Sequence, residues 1–185
     1  MKDDAANGRL STERHDAAAT MALADELKAV YLASHRDQQA DPWYSPAKFW
    51  ERLEELYAPI PSFELVAGRV GGRMVGYAFG SLYGRPQAVW DKALRVYPEL
   101  AHETSGPVYI FREFAVHPDY QGHGYARIIH DALLSGRPEP LAYLLVRVGN
   151  PAKAAYESWG WRVIGQDQPF PDSPMMDEMA KTSSV

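Results

Sequence analysis

The sequence predicts a mixed α/β fold, and three patterns in its order carry that expectation. Apolar residues recur at near-helical spacing across residues 19–35 and 41–58. Short β-like segments then flank Gly71-Gly72, a pair typical of tight hairpins. Two strand-then-helix passages follow, "VYIFREFAV" before "GYARIIHDALL" and "LAYLLVRV" before "NPAKAAYESWGW". Dividing 185 residues between two domains would leave each small, so one folded domain over 15–181 is expected. Residues 1–14 form a loose tail or a poorly formed first strand, and 182–185 a polar C-terminal tail.

Each element has a local reason. In "ATMALADELKAVYLASH", Met21, Leu23, Ala24, Leu27, Val30 and Tyr31 make one helical face. In the next helix Ser45 is a candidate N-cap and Pro46 a first-turn proline, with Phe49, Trp50, Leu53 and Leu56 apolar, until "PIPS" ends it. The stretch from Arg85 to Pro107 is a long connection with a short helix over Gln87–Val96. Val108–Val116 reads as a central strand, apolar on both faces except at Arg112 and Glu113. A helix over Gly124–Leu134 and a strand over Leu141–Val148 come next. Asn150 suits the cap, Pro151 the first turn and Gly160 the left-handed stop of a short helix. Two strands around a Pro-rich loop close the chain.

Composition narrows the function classes. Hydrophobic content of 46% with 23% charged residues describes an ordinary soluble protein. The absence of cysteine excludes a disulfide framework, a thiolate nucleophile and a Cys-based zinc site. A net charge of −5 argues against nucleic acid as the main partner. No apolar run approaches the roughly 20 residues that span a bilayer, and the first residues lack a signal-peptide core. A cytoplasmic location is therefore the expectation. His117, His123 and His130 have no ligand spacing, so no metal is expected.

The chemistry concentrates in "HPDYQGHGYARI", where Gly122 and Gly124 sit between a strand and a helix. A dinucleotide fingerprint fails, because the third glycine position is Arg127 and no acidic residue follows at 144. A Walker loop fails for want of Gly-Lys-Ser/Thr. Two readings remain: a short anion cradle at a helix start, or a tight turn that binds nothing.

"QGHGYA" resembles the Gln/Arg-x-x-Gly-x-Gly/Ala signature of the GNAT superfamily of acyl-CoA-dependent N-acetyltransferases. The hairpin "FELVAGRVGGRMVGYAFG", the strand–loop–helix "REFAVHPDYQGHGYARIIHDALL" and "LLVRVGNPAKAAYESWGW" resemble that family in order, so the likeness covers roughly Phe63 to Met179. It implies a mostly antiparallel mixed sheet, splayed between two parallel central strands and flanked by helices. It implies acetyl-CoA as cosubstrate, with the main chain of Phe114, Ala115 and Val116 along the pantetheine arm. Gln121, Gly122, His123, Gly124, Tyr125 and Ala126 would then hold the pyrophosphate, and Asn150 would touch the arm, although capping explains Asn150 equally well. Arg127 and Lys153 are more ordinary as solvated surface residues.

Amine acylation needs two proton transfers. Glu113 is the candidate base, against the alternative of a structural ion pair with Arg147; pairing with Arg112 is disfavoured because adjacent strand residues face opposite ways. Tyr156 matches the family's general-acid position, against the alternative of core packing. The Val116 N–H would serve the oxyanion. Trp43, Tyr44 and Trp50 are candidates for an acceptor pocket, and Asp91, Glu99, Glu103, Asp167 and Asp172 for steering a cationic amine. The reading that results is acetyl transfer to a primary amine of a small molecule in a ternary complex, with a cationic acceptor slightly favoured and a homodimer as the candidate assembly. A non-catalytic acyl-CoA sensor, a protein or peptide acetyltransferase and a bulkier-acyl or non-amine transferase stand beside it.

Overall fold

The computed structural model describes residues 8–38, 40–84, 86–102 and 106–182. Glu103, residues 1–7 of the expected N-terminal tail and residues 183–185 lie outside the described residues. In chain order the elements are β1 (Ser11–His15), α1 (Ala17–Met21), α2 (Ala24–Ser34), α3 (Pro46–Glu51), β2 (Glu64–Val70), β3 (Arg73–Leu82) and α4 (Gln87–Val96). They continue as β4 (Val108–Val116), α5 (Tyr125–Leu134), β5 (Leu141–Arg147), α6 (Ala152–Ser158), β6 (Arg162–Asp167) and β7 (Met176–Thr182). The strands form a mixed sheet in the order β1-β2-β3-β4-β5-β7-β6. Val108–Phe111 pair in parallel with Leu141–Leu144, while β1–β2, β2–β3, β5–β7 and β6–β7 are antiparallel.

Contacts divide the chain into two compact units. The first holds the residues up to Ser81 together with Glu113–Ser135. Its β1 overlaps the end of the stretch expected to be a loose tail or weak strand and runs one residue past it. The segment Ser11–His15 is polar and largely exposed, so no apolar alternation announces it. Pairing with β2 makes it a strand, from Ser11↔Arg69 to His15↔Leu65, and Arg69 ties it further through bonds to Glu13 and Glu26. The helix expected over 19–35 is two helices, with Asp16 capping the first through the Ala19 N–H. Ser45 caps α3 and Pro46 occupies its first turn, as the sequence indicates. The helix then widens into a π-helical turn over Arg52–Tyr57, sealed where the Ala58 N–H donates to the Leu53 carbonyl at 2.8 Å. Such widening redirects side chains and recurs at functional sites.

Leu27, Val30 and Tyr31 of α2, Phe49 of α3 and Leu53 pack on Leu65, Ala67, Met74, Tyr77, Phe79 and Ala115 of the strands. Helix α5 uses Gly68 and Gly76 instead. These glycines are cross-strand partners, and a Cβ on either would fall within 3 Å of the Ile129 side chain. Their bareness lets α5 lie close to β2 and β3, which fixes where the loop before α5 leaves β4. Gly71 and Gly72 take φ of 57° and 81° at the β2–β3 turn, a conformation that a side chain would strain.

The second unit holds Leu82–Arg112 and the chain from Gly136. Its α4 is part of a packed core, since Val89, Trp90, Ala93 and Tyr97 are buried with Val108, Ile110, Leu141, Tyr143 and Ala180. Two buried carboxylates on β7 are neutralised there. Asp177 meets Lys153 at 2.7 Å, and Glu178 meets Lys92 at 2.5 Å.

Candidate active site

Glu113 has side-chain company that the sequence pattern did not reveal. Alternation along β4 sends Glu113 to the same face as Ala115, and Ala115 packs in the cluster that contains Tyr31, Phe49 and Tyr77. Although part of the residue remains accessible, burial of its carboxyl is the largest influence and pushes its pKa above the ordinary carboxylate range. The His35 imidazole, the Arg52 guanidinium and the Phe114 N–H oppose that rise. The phenols of Tyr31 and Tyr77 are raised first by their own burial and then by the Glu113 charge.

The surrounding rings form a continuous wall. Tyr44 stacks on His35 at 5.5 Å, His35 on Tyr31 at 4.1 Å and Tyr31 on Phe49 at 4.2 Å, with Tyr77 6.0 Å beyond Phe49. His35 is held through Nδ1 by the Ser34 hydroxyl and the Tyr31 carbonyl. Arg52, the first residue of the π-helical turn, is buried; it donates to the Trp43 carbonyl at 3.1 Å, lies 4.4 Å over the Trp43 ring and opposes the rise of the Tyr31 phenol pKa by its charge. Of the aromatic residues expected near an acceptor, Tyr44 joins this wall. Trp43 braces Arg52, and Trp50 packs at the core's margin under Lys28. Tyr31, His35, Arg52 and Tyr77 were not among the expected site residues. Tyr31 was assigned only to a helix face, and no spacing rule links 31, 35, 52, 77 and 113.

The loop after β4 begins with a 3₁₀ turn over Pro118–Tyr120, in which His117 Nδ1 accepts from the Asp119 N–H. Gln121 ties the loop back to β4 by donating its side-chain amide to the Val116 carbonyl at 3.1 Å. The His123 ring donates to the Gln121 carbonyl and stacks on Tyr125, whose hydroxyl donates to the Gly8 carbonyl. Gly122 and Gly124 adopt φ of 80° and 78°, and beyond their chain neighbours no described residue lies within 4 Å of where their Cβ atoms would stand. Gly124 begins α5 with no side-chain cap. Left-handed glycines with open space above them, at an uncapped helix start, fit an anionic group such as pyrophosphate. Arg127 is committed to Asp131 one helical turn away.

Two expected residues belong to the second unit. Asn150 accepts from the Ala152 N–H at 2.9 Å, so it caps α6. Tyr156 on α6 is buried, edge-on to Phe111 at 6.3 Å, Trp159 at 5.7 Å and Trp161 at 6.3 Å. Of the acidic residues considered for steering, Asp91 accepts from Gln87 on its own helix and Asp167 from the neighbouring Gln168 N–H. No group of three or more metal-ligating side chains occurs among the described residues, and no helix among them is long and apolar enough to cross a membrane.

A family model described as the acetyltransferase (GNAT) family matches residues 21–161, about three quarters of the chain. The chain belongs to the GNAT acetyltransferase family. It is thereby an acyltransferase by family, with the mixed sheet and parallel strand pair seen above. Curated proteins give no significant match. Among solved structures, the ribosomal-protein-S18-alanine N-acetyltransferase of Escherichia coli is 19% identical with a TM-score of 0.63, over 96% of both chains. PH1933 of Pyrococcus horikoshii is 17% identical with a TM-score of 0.64, over 96% of this chain and 100% of its own. The PaiA N-acetyltransferase of Thermoplasma acidophilum, solved in complex with coenzyme A, is 9% identical with a TM-score of 0.57, over 95% of this chain and 99% of its own. At these identities the GNAT likeness to solved structures is one of fold.

Proposed function

We propose that this GNAT protein acetylates a primary amine of a small molecule, using acetyl-CoA as cosubstrate and Glu113 as the base. The observation that carries the proposal is a carboxyl of raised pKa, set among Tyr31, Tyr77, His35 and Arg52 in a chain of an acetyltransferase family. Acetyl-CoA supplies the activated thioester. The Gln121–Ala126 loop is assigned its pyrophosphate, on the strength of the open left-handed glycines, and the main chain of Phe114–Val116 its pantetheine arm.

An alkylammonium ion of pKa near 10 is about one part in a thousand free base at pH 7, a deficit of about 4 kcal/mol. Glu113 addresses that deficit by taking the ammonium proton before the N–C bond forms, which frees the lone pair for attack, and the raised carboxyl pKa brings its basicity closer to the task. Tyr156 is assigned the complementary role of returning a proton to the departing thiolate. Aromatic rings around a carboxylate also favour a compact cation, through the ring faces as well as the charge.

A thiol-release assay with acetyl-CoA against small amines, N-terminal peptides and lysine peptides tests the proposal. Turnover is expected with small primary amines. Release only with peptides would move the acceptor class to protein termini or lysines, and binding of acetyl-CoA without release for any amine would replace the enzyme reading by acyl-CoA sensing.

A further inference from the structure

Arg52 is only 8% exposed, and among the described residues no carboxylate forms an ion pair with its guanidinium. The buried carboxylates of β7, by contrast, are each met by a lysine. A guanidinium does not shed its proton, so a buried one without a counter-charge is costly. The protein compensates it in part: Nη1 donates to the Trp43 carbonyl at 3.1 Å, and the group lies 4.4 Å from the centre of the Trp43 ring. None of its nitrogens is among the buried atoms left without a partner, so the N–H groups not bonded within the protein keep accessible surface. Glu113, itself partly accessible, feels the Arg52 charge but makes no ion pair with it. Tyr31 feels both charges, and its ring stacks on Phe49 at 4.2 Å, three residues before Arg52 and so on the same side of that helix. A base and an unmatched cation thus share one aromatic-walled region.

We infer that Arg52 binds a carboxylate on the acceptor, so that this protein acetylates an amino acid and not a simple amine. The inference rests on the acetyltransferase reading above and names its substrate class. The planar fork of a guanidinium matches the two oxygens of one carboxylate, and Trp43 fixes that fork from its ring and its carbonyl. An amino acid brings an ammonium group and a carboxylate together, so it meets Glu113 and Arg52 with complementary charge. Its carboxylate supplies the counter-charge that the protein withholds, where little water competes for it. A simple amine leaves Arg52 as it stands without a ligand, and a polyamine adds further positive charge beside it.

The test measures thiol release from acetyl-CoA with the standard L-amino acids other than cysteine, each against its α-carboxamide and its decarboxylated amine. It is run on the wild type, Arg52→Met and Arg52→Lys. For the amino acid turned over best, the wild type should favour the acid over the amide by at least about tenfold in kcat/KM. Arg52→Met should raise KM for the acid about 10- to 100-fold and change that for the amide by less than about threefold, which collapses the preference. Arg52→Lys keeps the charge without the fork and should retain part of it. Comparing acid-to-amide ratios between proteins cancels the different basicities of the two amines, and a merely structural Arg52 would lower both rates alike. Equal losses on acid and amide, or a wild type that takes amides or simple amines as readily as acids, would overturn the inference while acetyl transfer stands. That wild-type ratio decides even if Arg52→Met does not fold. Absence of thiol release with every amine sinks both readings.

Discussion

Replacing Glu113 by Gln removes the base while keeping its shape, and the structure makes two separable demands on the result. The first concerns rate. A positioned base contributes typically about 10²- to 10⁴-fold, so a loss within that range is expected at pH 7. Without Glu113, turnover should follow the free amine in bulk and climb about tenfold per pH unit toward the amine pKa near 10. The deficit should therefore shrink by roughly 200- to 300-fold between pH 7 and pH 9.5. The second concerns stability. Burial raises the folded-state pKa of Glu113 above its unfolded value near 4.3, so the folded protein binds the proton more tightly than the unfolded chain. Stability of the wild type must then fall as pH rises from the unfolded pKa to the folded one. Glu113→Gln lacks that loss, so its thermal midpoint should match the wild type near pH 4 and exceed it at pH 7.5. The assay is clean, since a chain with no cysteine contributes no thiol of its own. A variant that keeps the wild-type acidic limb, or loses stability at pH 7.5, refutes the assignment of Glu113 as a buried base.

Substitutions at three further positions probe other parts of the molecule. Gly124→Glu adds a charge at a backbone φ of 78°, and should weaken acetyl-CoA binding at least 100-fold by calorimetry, whereas Gly124→Asn, which tolerates that conformation, should keep it within tenfold. Wild-type affinity in a folded Gly124→Glu protein would show that the loop is only a turn. Tyr156→Phe should lower kcat about 10- to 1,000-fold with acetyl-CoA affinity unchanged. An unchanged kcat, where chemistry limits the rate, would return Tyr156 to its packing with Phe111 and Trp161. Lys153→Met should cost about 1–3 kcal/mol in urea unfolding at pH 7, because the buried Asp177 then keeps only the Gln166 amide as a side-chain donor among the described residues. Lys153 holds the Asp177 pKa below its unfolded value near 3.9, so that stabilisation is present above this value and lost as pH falls through the folded pKa. The deficit should close in acid; one that persists unchanged at low pH would assign Lys153 a packing role.

Local chemistry made much of this protein legible in one dimension. The limits of β4 and α4, the Gly-Gly turn, the Ser45 and Asn150 caps and the glycines at 122 and 124 follow from side-chain period, capping and backbone freedom within a few neighbouring residues. Other features depend on partners far along the chain. Strand β1 exists because β2 and Arg69 receive it, and helix α5 approaches the sheet because Gly68 and Gly76 happen to face each other. Glu113 could be singled out as a carboxylate in an apolar strand, but its chemistry depends on its neighbours. The pKa of a buried acid is a property of the space around it. That space is lined by Tyr31, His35, Arg52 and Tyr77, which only the packing of α2, α3 and the π-helical turn onto β3 and β4 brings together.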